Sequence, residues 1–317
     1  MSAKSNDNGR AFEFICLDTL HARIQEYRPV EVEENSSFFA AKRAWESIDS
    51  PLKEALTASA QAAADSILDL EPLIVEDGDD ALSLKIQLDE EGEKGDVRDI
   101  LIIRRNIHWE IGLSLKHNHF AVKHSRLAKN LDFGQRWFDV PCSNEYWDKI
   151  RPVFDMLEDE KNMGRKWNEL PDKENDVYVP LLQAFVDEIL RSAKNNEGIP
   201  RKMVEYLLGE FDFYKVISVD RQKMAQIQAF NLRGTLNRES REKDPEIIIP
   251  VSSLPSRIVS LDFKPNSSNT VELYMDGGWQ FSFRIHNAAT FVETSLKFDV
   301  QIIGMPTTII TINCSWR

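Results

Sequence analysis

Residues 81–118 read "ALSLKIQLDEEGEKGDVRDILIIRRNIHWEIGLSLKHN". Within them "ALSLKIQL" (81–88) alternates apolar and polar residues with period two, "DILIIR" (99–104) is a short β-rich run, and "HWEIGLSLKHN" (108–118) alternates again, so the stretch predicts a three-stranded meander. The acidic, glycine-bearing "DEEGEKGD" (89–96) is expected to be a loop. Upstream, apolar residues at 12, 15, 16, 20 and 24 of "RAFEFICLDTLHARIQEY" (10–27) have the spacing of an amphipathic helix. Helices also follow from "SSFFAAKRAWESI" (36–48) and from residues 50–70, the latter with Ser50 as cap and Pro51 at the first helical position. Downstream, residues 144–162, 179–195 and 200–210 return to helix, and "DFYKVISV" (212–219) to strand. The sequence after 245 is mostly β, through "TVELYM", a "DGG" turn signal, "WQFSFRIH" and "TTIITINCSW". The expected fold class is α/β (α+β), helices around a mixed sheet, followed by a β-rich C-terminal region. We place the division as 1–195 and 196–317.

The chain has 317 residues and a formal net charge of −13, yet its charge is unevenly spread. Residues 101–136 carry seven Lys/Arg against Glu110 and Asp132, and residues 221–243 carry six against Glu239 and Glu242. An acidic body with two basic surfaces can still take a polyanion. The apolar runs fall far short of the roughly 20 residues that span a bilayer, and "MSAKSNDNGR" offers no apolar signal core, so a cytoplasmic protein is expected, with no membrane partner. Three cysteines at wide spacings, Cys16, Cys142 and Cys314, fit neither a disulfide framework nor CxxC metal sites and read as small buried hydrophobes.

Helix, meander, helix and further strand is the order of a nuclease core that carries an Asp at the start of its second strand and an acidic-x-Lys at the end of its third. Carboxylates there hold Mg²⁺ against a scissile phosphate, and the Lys assists the attacking water. Asp99 opens "DILII" and Lys116 closes "WEIGLSLK". With an even number of residues in the connecting turn, Asp99 pairs with Gly112 or Ser114 and shares a face with Lys116. Ser114 stands where the signature has an acid. Glu110 points the same way as Ser114 but lies about 13 Å from it along the strand. Another carboxylate must complete the ligand set: Glu13 on the first helix is preferred, with Asp96 and Glu110 as alternatives.

Several stretches, "GRAFEF", "GDVRDILII", "EIGLSLKHNHFAVKHSRL", "YWDKI", "VYVPLLQAF", "YLLGEFDFYKVI" and "SFRIHNAATFVETSLKFDVQIIG", resemble the HaeIII family of type II restriction endonucleases, across nearly the whole chain. The resemblance implies the PD-(D/E)xK fold and Mg²⁺-dependent cleavage of double-stranded DNA at the palindrome GGCC. It supports Asp99, Lys116 and Glu13 as active-site members. Arg98-Asp99 stands for the usual Pro-Asp, and Ser114 for the acid.

The "HNH" at 117–119 is too compact for the nucleases of that name. His117 and His119 share a strand face but lack a third zinc ligand. Asn118, His119, Lys123, His124 and Arg126 are expected to grip phosphates or support the active site. "NLRGTLNRESREK" (231–243), with Arg233, Arg238 and Arg241, suits a loop that orders on DNA. Arg284 and His286, on one face of a strand ending at Asn287, suit phosphate or guanine contacts. A two-fold site would be read by a homodimer, or by one chain visiting each strand in turn. A non-catalytic DNA binder with a decayed core and a structure-specific repair nuclease are the competing readings. Ser114 favours the first of these.

Overall fold

The computed structural model describes residues 3–76, 78–93 and 95–316, without the side chains of residues 3–6, 93 and 124. In chain order the elements are α1 (Ala3–Ile24), β1 (Val30–Glu33), α2 (Ser36–Ser47), α3 (Ser50–Leu70), α4 (Pro72–Val75), β2 (Leu82–Ile86), α5 (Asp89–Glu93), β3 (Ile100–Arg104), β4 (Trp109–His117) and β5 (Ala121–Ala128). There follow α6 (Phe133–Phe138), α7 (Asn144–Asn162), α8 (Val179–Asn195), α9 (Ile199–Leu208), β6 (Phe213–Val219), β7 (Met224–Phe230), β8 (Ile258–Phe263), β9 (Thr270–Met275), β10 (Gln280–His286), β11 (Ser295–Gly304) and β12 (Thr311–Ser315).

Two compact units result, and neither is a continuous stretch. The first takes residues 1–120, 210–253 and 307–317, the second 121–209 and 254–306. The chain thus does not divide at one point near 195: contacts made by the C-terminal strands, rather than a linker, decide which unit a segment joins.

The first unit is built on a seven-stranded sheet of order β1-β2-β3-β4-β6-β7-β12. β2, β3 and β4 form the expected antiparallel meander, while β1 with β2 and β4 with β6 pair in parallel. One face is apolar: Ile100, Leu113, Tyr214 and Ala229 lie across it in register and are buried with Phe12 and Ile15 of α1 and Ala60, Ala63 and Ile67 of α3. The opposite face carries Ser114, Lys116 and Lys215. α3 is capped by Asp49 rather than Ser50, the carboxylate accepting from Leu52 N at 3.0 Å while the Asp49 backbone stays extended. The 89–96 loop holds the short helix α5, opened by Asp89, Glu90 and Glu91, whose charges suit a helix N-terminus.

The second unit has a five-stranded antiparallel sheet, β5-β11-β10-β9-β8. Its inward positions Phe283 and Phe298 meet Trp137 of α6 and Phe185 of α8, with ring centroids 5.0 Å apart for Phe185 and Phe298 and 5.9 Å for Trp137 and Phe283. Such rings bury large apolar areas and dominate a core of this size.

Candidate active site

The turn between β3 and β4 fixes the site. Arg104 pairs with Trp109, and the four intervening residues form a 3₁₀ turn, Arg105–Ile107, closed by His108 in the left-handed region at φ 51°. An even turn keeps the parity that the sequence reading required. Ile100 pairs with Leu113, and Asp99 N donates to Leu113 O at 2.7 Å, so Asp99 sits beside Ser114. Its Oδ2 accepts from Leu115 N at 2.6 Å and from Lys116 Nζ at 3.1 Å. The carboxylate is thereby clamped by the backbone two strand positions from the lysine it faces. Both side chains remain about one-quarter accessible, at 25% and 26%.

Glu13 projects from α1 between Phe12 and Ile15, which anchor that helix in the core. Its carboxyl is enclosed, and burial first, then the charge of Asp99, push its pKa up to about 8; Lys116 and Arg10 act against the rise. A carboxyl partly desolvated beside a second carboxylate does not ionise cheaply. A divalent cation removes that conflict, and oxygen ligands from one or two carboxylates are what Mg²⁺ takes, with water and substrate phosphate completing its shell. Among the described residues no group of three or more His, Cys, Asp or Glu could hold a metal ion.

The alternatives to Glu13 are otherwise engaged. Arg98 Nε and Nη2 donate to Asp96 Oδ1 and Oδ2 at 2.9 and 2.7 Å, and Nη1 donates to Glu110 Oε1 at 2.9 Å. The guanidinium lies 3.9 Å from the Phe211 ring centroid. Asp96 and Glu110 are thus partners of Arg98. The arginine stem crosses Gly112, where a Cβ would come within 2.1 Å of Arg98 Cδ, so a side chain there would expel it.

Ser114 is buried at 3% exposure and lies directly beside Lys215 of β6, itself 3% exposed. Lys215 Nζ donates to Phe120 O at 2.7 Å, and burial, then Lys116, push its pKa down to about 7. Sequence reasoning missed this second lysine, because nothing in "FYKVISV" distinguishes it from a surface residue. The histidine run is also more internal than expected. His117 Nε2 is 2.6 Å from Asp220 Oδ2, Asn118 Nδ2 donates to the same oxygen at 2.9 Å, and Asn118 Oδ1 accepts from Asp220 N at 3.1 Å. This knot ties the ends of β4 and β6 together. His119 is half-buried just beyond it.

Of the basic segment 231–243, Arg233, Arg238 and Arg241 are exposed, but its backbone is already ordered. Asp212 accepts from Leu232 N, Arg233 N and Thr235 N at 2.6, 2.8 and 2.8 Å, and Glu71 accepts from Asn237 N at 2.7 Å. Burial pushes the Glu71 carboxyl up to about 8. The segment is a pinned platform rather than a loop awaiting a ligand.

In the second unit Lys123 points inward. Its Nζ donates to Tyr206 O at 2.7 Å and lies 3.8 Å from the Tyr206 ring centroid, and burial pushes its pKa down to about 8. It is therefore no surface phosphate grip. Asn287 closes a turn, donating to Ala289 O at 2.9 Å and accepting from Tyr178 Oη at 3.1 Å. The side chain of His124 lies outside the described residues. Arg126 and Arg284 are exposed, and His286 is half-buried, its Nδ1 3.0 Å from Asn287 O. Register places all three on one sheet face: β11 lies between β5 and β10, and Lys297 pairs with both Arg126 and His286. Lys297 is the member of that row that the sequence reading overlooked.

A helix laid on a mixed sheet, with an antiparallel meander presenting Asp99 against Lys116 and a parallel strand beyond, is the core of a restriction-endonuclease-like protein. The model of a family described as HaeIII restriction endonuclease matches residues 9–306. The chain is 54% identical over 318 residues to the Type II restriction enzyme HaeIII of Haemophilus aegyptius, covering all of both proteins. It belongs to the HaeIII restriction endonuclease family. No solved structure matches it. Among the described residues no helix is long and apolar enough to cross a membrane.

Proposed function

We propose that this chain is a Mg²⁺-dependent type II restriction endonuclease that hydrolyses double-stranded DNA at GGCC. The observation that carries the catalytic part is the clamped Asp99–Lys116 pair at 3.1 Å with the Glu13 carboxyl raised beside it. Glu13 and Asp99 would hold the ion, which when bound would polarise a phosphoryl oxygen and make a bound water more acidic. Lys116, fixed by Asp99, stands beside the attacking water, takes part in its deprotonation and offsets charge that develops at the phosphorus oxygens. The water oxygen bonds to phosphorus as the P–O3′ bond breaks, leaving a 5′-phosphate and a 3′-hydroxyl. The relative's printed name and the full-length identity support the enzyme class, and the family resemblance supports GGCC. The exposed arginines, Arg126, Arg233, Arg238, Arg241 and Arg284, supply cations for the duplex, and two chains serve the two halves of the palindrome.

Incubation with plasmids that carry or lack GGCC, with and without Mg²⁺, tests the reading. Discrete fragments only from the GGCC plasmid with Mg²⁺, with ends that a 5′-phosphate-dependent ligase rejoins, are expected. Retarded but intact DNA would favour the decayed-core binder to which Ser114 points. Cleavage confined to junctions or flaps would favour a repair nuclease.

A further inference from the structure

Four charged groups act on Glu13: Asp99 just before β3, Lys116 of β4, Arg10 of α1 and Asp89 of α5. Arg10 stands three residues before Glu13, so the two are neighbours on one face of α1. Its Nη2 donates to Asp89 Oδ2 at 2.8 Å; the arginine side chain is 33% exposed and that of Asp89 82%. The other cations described at the site are committed more deeply. Lys116 donates to the clamped Asp99, Lys215 is buried against Phe120 O, and Arg98 is buried between Asp96 and Glu110.

Both cations that act on Glu13 thus already have a carboxylate, Lys116 in Asp99 and Arg10 in Asp89. A phosphodiester entering the site must take one of them. Lys116 is the costly one to detach, because its partner is held by Leu115 N and is only one-quarter exposed. Asp89 stands in water, which replaces Arg10 at little cost when the pair opens. The guanidinium fork, in turn, matches two phosphate oxygens at once. We infer that Arg10 binds a backbone phosphate of the strand being cut, at or next to the scissile bond, exchanging Asp89 for that phosphate when the duplex arrives. This rests on the reading of the chain as an endonuclease whose active site lies at Asp99 and Lys116, and it adds to that site a substrate contact from α1.

The test measures duplex affinity without Mg²⁺ at fixed salt, for the wild-type chain, Arg10→Ala, Arg10→Gln and Asp89→Asn. The duplexes carry GGCC, either intact or with an uncharged methylphosphonate replacing, in turn, each phosphate within or flanking the site. At one position the replacement should cost the wild type about tenfold more than it costs Arg10→Ala, the scale of one charge-assisted contact. Arg10→Gln, uncharged and still polar, should match the alanine variant and carries the comparison if that one does not fold. Asp89→Asn should bind the intact duplex at least as tightly as wild type, because it frees the guanidinium and removes an acid. Equal responses of the wild type and the Arg10 variants to every replacement overturn the inference. A loss in Asp89→Asn equal to that in Arg10→Ala does the same, since the pair would then serve only to hold α5. Cleavage of the intact duplex with Mg²⁺ by Lys116→Ala at the wild-type rate removes the placing of the active site and the inference with it. Cleavage that depends on Lys116, without any coupling between Arg10 and a phosphate, removes the inference alone.

Discussion

The two sheets treat their polar groups in opposite ways. In the first unit Asp99, Leu115 N and Lys116 are bound to one another at 2.6–3.1 Å, and Ser114 and Lys215 are buried alongside. In the second, Arg126, Lys297 and Arg284 stand on three different strands, and among the described residues Arg126 donates to Ser295 Oγ at 3.1 Å. Groups that act on a bond must be fixed relative to each other before the substrate arrives. Groups that recognise a partner keep their donors for it, since a contact already satisfied inside the protein gives no discrimination.

The largest expected effect that would break this contrast is Lys116→Ala. Cleavage should fall by about 10² to 10⁴, the range for a proton-transfer group, while duplex affinity stays near wild type. Near-normal cleavage by this variant, followed in single turnover, would move chemistry out of the first sheet.

Glu13→Gln comes next. Loss of an outer-shell group typically costs about 10- to 100-fold in metal affinity, and a direct ligand should cost at least that in the Mg²⁺ concentration required. An unchanged Mg²⁺ titration would return Glu13 to the role of a core-edge acid.

The second sheet is probed by Arg284→Ala and Lys297→Ala. The first should cost GGCC binding about 1–3 kcal/mol and spare scrambled DNA. The second should weaken both duplexes alike and reduce the salt slope by about 1. Identical behaviour of the two variants would erase the division between a base-reading and a phosphate-gripping row.

The smallest effect is in stability against pH. Glu13 and Glu71 have folded pKa values raised to about 8, so their contribution is complete below the unfolded value near 4.5 and is lost as pH rises through about 8. Lys215, lowered to about 7, works the other way: its contribution is present above the unfolded lysine value of about 10.4 and lost as pH falls through about 7. Thermal midpoints of the metal-free chain should therefore decline across the acidic-to-neutral range, less so in Glu13→Gln, with Glu71 sustaining the remainder. Mg²⁺ should raise the midpoint more above about pH 8 than below about pH 6, because only the ionised carboxylate ligates. A Mg²⁺ effect independent of pH would count against Glu13 as a ligand.

The meander was legible because its strands alternate cleanly, but the Asp99–Lys116 parity depended on an even turn, which the pairing of Arg104 with Trp109 supplies. β5 was not: in "AVKHSRLA" the inward positions include Lys123 and Ser125, so the pattern shows no apolar face. β7 was hidden for a related reason, since Gln226 and Gln228 face the polar side and the segment reads as part of a basic stretch. Lys215 and Lys297 depend on pairing between strands roughly a hundred residues or more apart in sequence from their partners in β4 and β5, which local periodicity does not encode. Arg98 stands at the Pro position of the signature, and nothing in the sequence marks it as the partner of both Asp96 and Glu110.

The threading of the chain limits how such an enzyme can be remade. It passes from one unit to the other after residues 120, 209, 253 and 306, and the last eleven residues supply β12, an edge strand of the first sheet. No single scission releases either unit with all its strands, and any contiguous segment that holds all five strands of the second sheet also carries β6 and β7 of the first. Neither unit can therefore be exchanged as a block, and a change in either must be made by substitution within a chain that carries both.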